Sequence, residues 1–205
     1  MIKTPSISVA CETHFPPRKS WRRSAARVAC FALLSSVIAG CASSSDGAQP
    51  TLEQRMQKLG SCTPRDLVTL VPWTGPAFGD DGKLLAPLPA GHVEAVVNGW
   101  EKRDAQATKL REMHGMLAAA DVFTRPGLLG FEAFESVECD IGMSHTLWQD
   151  EASMLAFVTG PAHISAMSMA AQMHHATGGA HWSGPARTTA PTWQEGIARL
   201  VAEYR

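Results

Sequence analysis

Positive charge is scarce in most of this 205-residue chain: residues 41–205 hold 12 Lys and Arg against 18 Asp and Glu, a net of −6. Nucleic-acid affinity comes from Lys and Arg displacing counterions from phosphates, so this composition argues against a nucleic-acid partner. There is no Gly-rich phosphate loop after a strand, no G-x-S-x-G elbow and no cysteine in a nucleophile context, which disfavours nucleotide use and serine hydrolysis. C-x-x-C, H-E-x-x-H and spaced carboxylate clusters are missing too, so no defined metal motif stands out. Asparagine occurs once, as Asn98. What is present, 45% apolar and 18% charged residues, is the composition of a globular domain.

The basic residues the bulk lacks are gathered at the start. Residues 1–40 carry Lys3, Arg18, Lys19, Arg22, Arg23 and Arg27 against Glu12 alone. The uncharged stretch that follows, residues 28–40, is 13 long, short of the about 20 needed to span a bilayer as a helix. This is the layout of a signal peptide. It ends Ile38-Ala39-Gly40-Cys41, small residues before a cysteine, and so resembles a bacterial lipobox. The resemblance implies an acylated Cys41, a bilayer as partner, export, and membrane anchoring. With Ala42 rather than Asp next, it implies the periplasmic face of the outer membrane in a diderm host. The folded part then holds only Cys62 and Cys139, which an oxidising compartment would bond or which would stay as two buried thiols.

Three segments are expected: a signal peptide (1–40), a lipidated linker and Pro/Gly-rich arm (41–91), and a compact domain (92–205). Leu52, Met56 and Leu59 give a short helical pattern. Pro64, Pro72, Pro76, Pro87 and Pro89 keep residues 61–91 from being mostly helix or central strand, while Leu67, Val68, Leu70, Val71, Trp73 and Phe78 make an ordered arm. Residues 92–100 alternate as a half-buried strand. Asp104 caps a helix to about Ala120, with Leu110, Met113, Leu117 and Ala120 at helical spacing. Strands follow at 128–135 and 142–148. Asp150 caps a turn to Val158, Pro161 opens a helix to about His175 ended by Gly178-Gly179, and a short strand covers 180–183. Thr192 and Glu195 form a capping box for a last helix. The order is βαββαβ, an α+β ferredoxin-like domain whose uncovered sheet face a second copy would close.

The runs Thr146 to Ala152, Met154 to Val158, Gly160-Pro161-Ala162-His163 and Ala166-Met167 resemble the strand-then-helix signature of the dimeric α/β-barrel superfamily that includes antibiotic-biosynthesis monooxygenases. Pro126 to Gly130 and Pro191 to Leu200 are similar to further segments of it. The resemblance implies a homodimer whose barrel takes a small aromatic or tetrapyrrole molecule, as an oxygenase or a haem-linked enzyme. Haem-degrading members carry an Asn on the first strand, matched by Asn98, and a Trp and a His where this chain has Phe157 and Met167.

A cofactor-free oxygenase needs a histidine base with an Asn or Trp donor in a dry pocket. His145 on the third strand, His163 at a helix start and Asn98 are the catalytic candidates; His163 and Trp148 are the candidates for holding haem. The structural readings beside these are packing for Trp148 and hydrogen-bonded core or helix-start histidines for the other two. A different class is a non-catalytic lipoprotein binding a small ligand, haem, or copper through the Met and His residues of 167–181.

Overall fold

The computed structural model describes residues 49–63, 65 and 67–204; the expected signal peptide (1–40) and the expected acylation site Cys41 lie outside the described residues. Side-chain caps set most helix starts. Thr51 and Gln54 form a capping box for α1 (Leu52–Gly60), Asp104 caps α2 (Ala105–Val122), and Asp150 caps α3 (Glu151–Val158). Pro161 opens α4 (Pro161–Met173), and the Thr192–Glu195 box opens α5 (Trp193–Glu203). The strands are β1 (Leu67–Thr74), β2 (Val93–Glu101), β3 (Leu128–Ser136), β4 (Ile141–Trp148) and β5 (His174–Ser183). They form one antiparallel sheet in the order β1-β3-β4-β2-β5. Without β1 this is the ferredoxin-like βαββαβ arrangement, and the fold is α+β.

The registers sort every strand residue onto a face. Glu132, His145, Val96 and Ala180 lie opposite one another in one row, so Asn98, Trp100, Ile141, Met143, Phe134 and Glu94 share their face. Against it α1 and α5 bury Met56, Leu59, Ile197, Leu200 and Val201. At the other end of the same face the arm packs Trp73, Phe78 and Leu88 over Leu147. On the opposite face α2 and α3 bury Val122 and Met154 against Val93, Leu128, Phe131 and Trp148. The sheet face that was expected to meet a second copy is thus covered by α1, α5 and the arm of the same chain.

Three local expectations are corrected. The arm supplies a strand as well as a wrap. β1 sits at the sheet edge, where Pro72 costs no ladder bond, and its register shifts on either side of Val71. Gly178 and Gly179 lie within β5 instead of ending a helix. A side chain at 178 would meet Asn98 Oδ1 and Met56 Cε at 2.9 Å, so glycine is what lets α1 approach the sheet. Finally, α2 buries Ala107, His114 and Val122, while Met113 and Leu117 of its apolar stripe face outward.

The sulfurs of Cys62 and Cys139 are bonded, with Cα atoms 5.9 Å apart, tying the end of α1 to the β3–β4 turn. In that turn Asp140 adopts φ 58°, a conformation Asp tolerates better than most residues.

Candidate functional site

The sheet separates the residues that the sequence put forward. His145 and Asn98 lie under α1 and α5; Trp148 and His163 lie on the other side. His145 is fully buried, its Nε2 3.7 Å from Glu94 Oε2 and its Nδ1 4.0 Å from Glu132 Oε1, with the rings of Trp73 and Trp182 about it. Gly196 of α5 brings its backbone down beside His145 and Met143, leaving no room for a substrate above the imidazole. Asn98 is buried with both amide atoms unpaired and is wedged against Gly178 and Met56. Asn98 and His145 share a face, but in a packed interior rather than a pocket.

The group around His145 is an internal ion network. Arg187 donates to Glu94 through Nε at 2.7 Å and a terminal nitrogen at 3.0 Å, and His92 Nε2 lies 3.1 Å from the same carboxylate. Burial disfavours the Glu94 charge, yet His145 and Arg187 outweigh it and hold the carboxyl down to about 2. Burial pushes the His145 imidazole below its ordinary value. Glu132, directly opposite His145, has no Lys or Arg paired with it among the described residues, and burial pushes its carboxyl up to about 7. A carboxyl raised from 4.5 in the unfolded chain to about 7 in the fold costs the protein stability as pH rises across that window. Glu132→Gln is therefore expected to leave the urea midpoint nearly unchanged at pH 4 and to raise stability at pH 8 by about 1–3 kcal/mol.

Trp148 is fully buried, donates from Nε1 to Thr146 Oγ1 at 2.8 Å and stacks on Phe157; His163 packs edge-on against the same Phe157 and turns Nδ1 to the Val158 carbonyl at 3.0 Å. Burial lowers the His163 imidazole. These residues do not fit haem, which needs an imidazole nitrogen aimed into a flat apolar slot; His163 is committed to a helix start and to Phe157. Among the described residues no group of three or more His, Cys, Asp or Glu is placed to hold a metal ion.

On the helix-bearing face the centre of the sheet is unsealed. Val97, on the strand between β4 and β5, is 41% exposed, beside half-buried Ser144 and exposed Gly179. Gly99 and Gly142 continue this floor without side chains of their own, and the His174 ring and the Glu101 carboxylate fill the space above them. Glu101 is held by Arg111 of α2 at 3.0 Å and Arg103 at 3.6 Å. Burial nonetheless raises the Glu101 carboxyl. One turn along α2 from Arg111, His114 is also buried, and the Nδ1 atoms of His114 and His174 have no hydrogen-bond partner among the described residues. Burial, with Arg111 and Lys102 nearby, lowers His174 to about 4. An open apolar strip ending at the neutral His174 imidazole suits a small molecule with an apolar body and a hydrogen-bonding end.

Sequence reading missed Glu101, Arg111 and His114, and took in His174 only within the Met- and His-rich residues 167–181. Arg111 and His114, three apart on a helix whose other inward residues are alanines and Val122, were the available signal. A second cleft, of about 540 Å³ beside the disulfide, is lined by Gln54, Arg55, Lys58, Trp100, Asp140 and His175. There Arg55 is engaged by Gln49 and the Pro50 carbonyl.

No protein-family model matches this chain, and no curated protein matches it. Similar solved structures include a candidate antibiotic biosynthesis monooxygenase from Nitrosomonas europaea, 13% identical, covering 47% of this chain and 93% of that one at a TM-score of 0.41. SnoaB, a cofactor-independent oxygenase from Streptomyces nogalater, is 13% identical over 50% of this chain and 100% of its own, with a TM-score of 0.39. A conserved protein from Methanosarcina mazei is 11% identical over 45% of this chain and 91% of its own, with a TM-score of 0.41. The shared feature is the ferredoxin-like chain path.

Proposed function

We propose that this chain is an exported lipoprotein, acylated at Cys41, whose ferredoxin-like domain is a binding module for a small, largely apolar molecule rather than an oxygenase. The observation that carries this reading is the unsealed strip at Val97, which Gly99 continues to the His174 ring, whose buried Nδ1 has no partner among the described residues. A histidine held near 4 is a weak base at neutral pH and a competent neutral hydrogen-bonding partner, which favours holding a ligand over removing its proton. The residues that would perform oxygenase chemistry, His145 and Asn98, are packed beneath α1 and α5.

The test is a histidine-resolved NMR titration of the domain with phenols and small aromatic acids. Saturable shifts at His114 and His174, absent at His145 and abolished by Val97→Trp, are the expected result. Oxygen uptake with any of these compounds that is lost in His145→Ala would overturn the binding reading. Anchoring is tested separately: palmitate incorporation in a bacterial host is expected for the full chain and absent for Cys41→Ala.

A further inference from the structure

The polarity of α2 is inverted. Its inward side carries Ala107, Arg111, His114, Ala118 and Val122, whereas Met113, Met116 and Leu117 point outward, Met116 with 68% of its surface exposed. These three lie at i, i+3 and i+4, so they form one stripe. Beside α2 packs α4, which bares Ile164 at 54% and Met167 at 52%, and α3 before it bares Leu155 and Val158. Residues 152–186 contain no Lys, Arg, Asp or Glu at all. A water-facing surface ordinarily carries charge; the α4 side of this one has none and so loses no ionic hydration when covered, while the α2 side carries only Lys109 and Glu112, of opposite sign, beside Met113 and Met116. No single described helix is long and apolar enough to span a membrane, but α3 and α4 together, bent by 59°, pass on apolarity while lying on the surface of the domain.

Where the chain enters the domain bears on the occupant. Gln49 and Pro50 line the same cleft as His175, two residues beyond the end of α4 at Met173. Cys41 is eight residues before Gln49, a reach of at most about 29 Å. A bilayer holding acyl chains on Cys41 would therefore lie within tether length of the α4 end of this face. Acyl chains fix distance from the bilayer and leave orientation free; an uncharged apolar helix face fixes orientation.

We infer that the outer face of α2 and α4 docks on a phospholipid surface, with Met113, Met116, Leu117, Ile164 and Met167 entering the interface. This rests on the anchored-lipoprotein reading for its biological setting, but the contact itself needs no acyl chain. All three core clusters and the disulfide lie within residues 49–204, so the domain from Gly47 folds on its own and can be tested unacylated.

The experiment is co-sedimentation of residues 47–205, oxidised, with vesicles of three parts phosphatidylethanolamine to one part phosphatidylglycerol. Binding is expected to fall about tenfold in Met116→Glu/Met167→Glu and in Ile164→Glu, and to persist in Met116→Leu/Met167→Leu, with melting temperatures unchanged because these side chains are exposed. Binding should be the same at about 0.05 and 0.5 M salt, since the α4 side of the face has no charge to screen. No vesicle binding by the parent domain overturns the inference, as does binding abolished by salt. A dimer dissolved by the same Glu substitutions, without vesicle binding, overturns it in favour of a second copy as occupant. Vesicle binding without palmitate incorporation at Cys41 would uphold the docking face and remove the anchor.

Discussion

Arg187→Ala is expected to lower the unfolding free energy by about 3–5 kcal/mol at pH 7, read from urea denaturation. The cause is the carboxylate left behind. Glu94 is fully buried and Arg187 is the only full cation hydrogen-bonded to it among the described residues. Removing the guanidinium leaves a charge that water cannot reach. The pH dependence identifies the mechanism. With its carboxyl held at about 2 against an ordinary 4.5, Glu94 adds stability that is fully present above pH 4.5 and is lost as pH falls towards 2. In Arg187→Ala that acid-side loss should shrink, because the folded and unfolded values of Glu94 move together. Pairing the substitution with Glu94→Gln should recover part of the deficit, as the buried charge goes too; no recovery would mean the loss comes from packing of the Arg187 stem.

Loss of the bridge should be about as costly. Cys62 and Cys139 are 77 residues apart, and the chain-entropy treatment of a loop that long gives about 4 kcal/mol. Cys62→Ser/Cys139→Ser is expected to melt about 10 °C below the oxidised parent, and dithiothreitol should bring the parent to the same temperature while leaving the double variant unmoved. A reductant-insensitive parent would show that the thiols are free in solution.

The element order was legible because it rests on local chemistry. Caps at Asp104, Asp150 and Thr192, Pro161 at a helix start, and alternation on either side of Val96 act over a few residues and need no knowledge of the rest of the chain. What failed was the assignment of sides. A helical stripe of Met113 and Leu117 shows that one side of α2 differs from the other, and the default places the apolar side inward; here the small side, with Ala107, Ala118 and Ala119, is the one that packs. Gly178-Gly179 reads as a stop signal in sequence, and only the approach of Met56 and Leu200 from distant helices explains glycine inside a strand. For the same reason the split between His145 and His163 was invisible: parity along β4 fixes which residues share a face, but which helices cover that face depends on residues 49–60 and 193–203.

The Cys62–Cys139 link has a mechanical meaning. A helix docked at a chain end is normally the first element to be peeled away when that end is pulled, one turn at a time. Here tension entering at Gln49 runs along α1 for little more than two turns and is then handed through the bridge to the β3–β4 turn, at the end of two strands with neighbours on both sides. Those strands are each hydrogen-bonded along both sides, so the load reaches the interior of the sheet before the end of the chain can fray. Reduced, the same chain would yield from its N-terminal end inward; oxidised, it meets a pull with its strongest part.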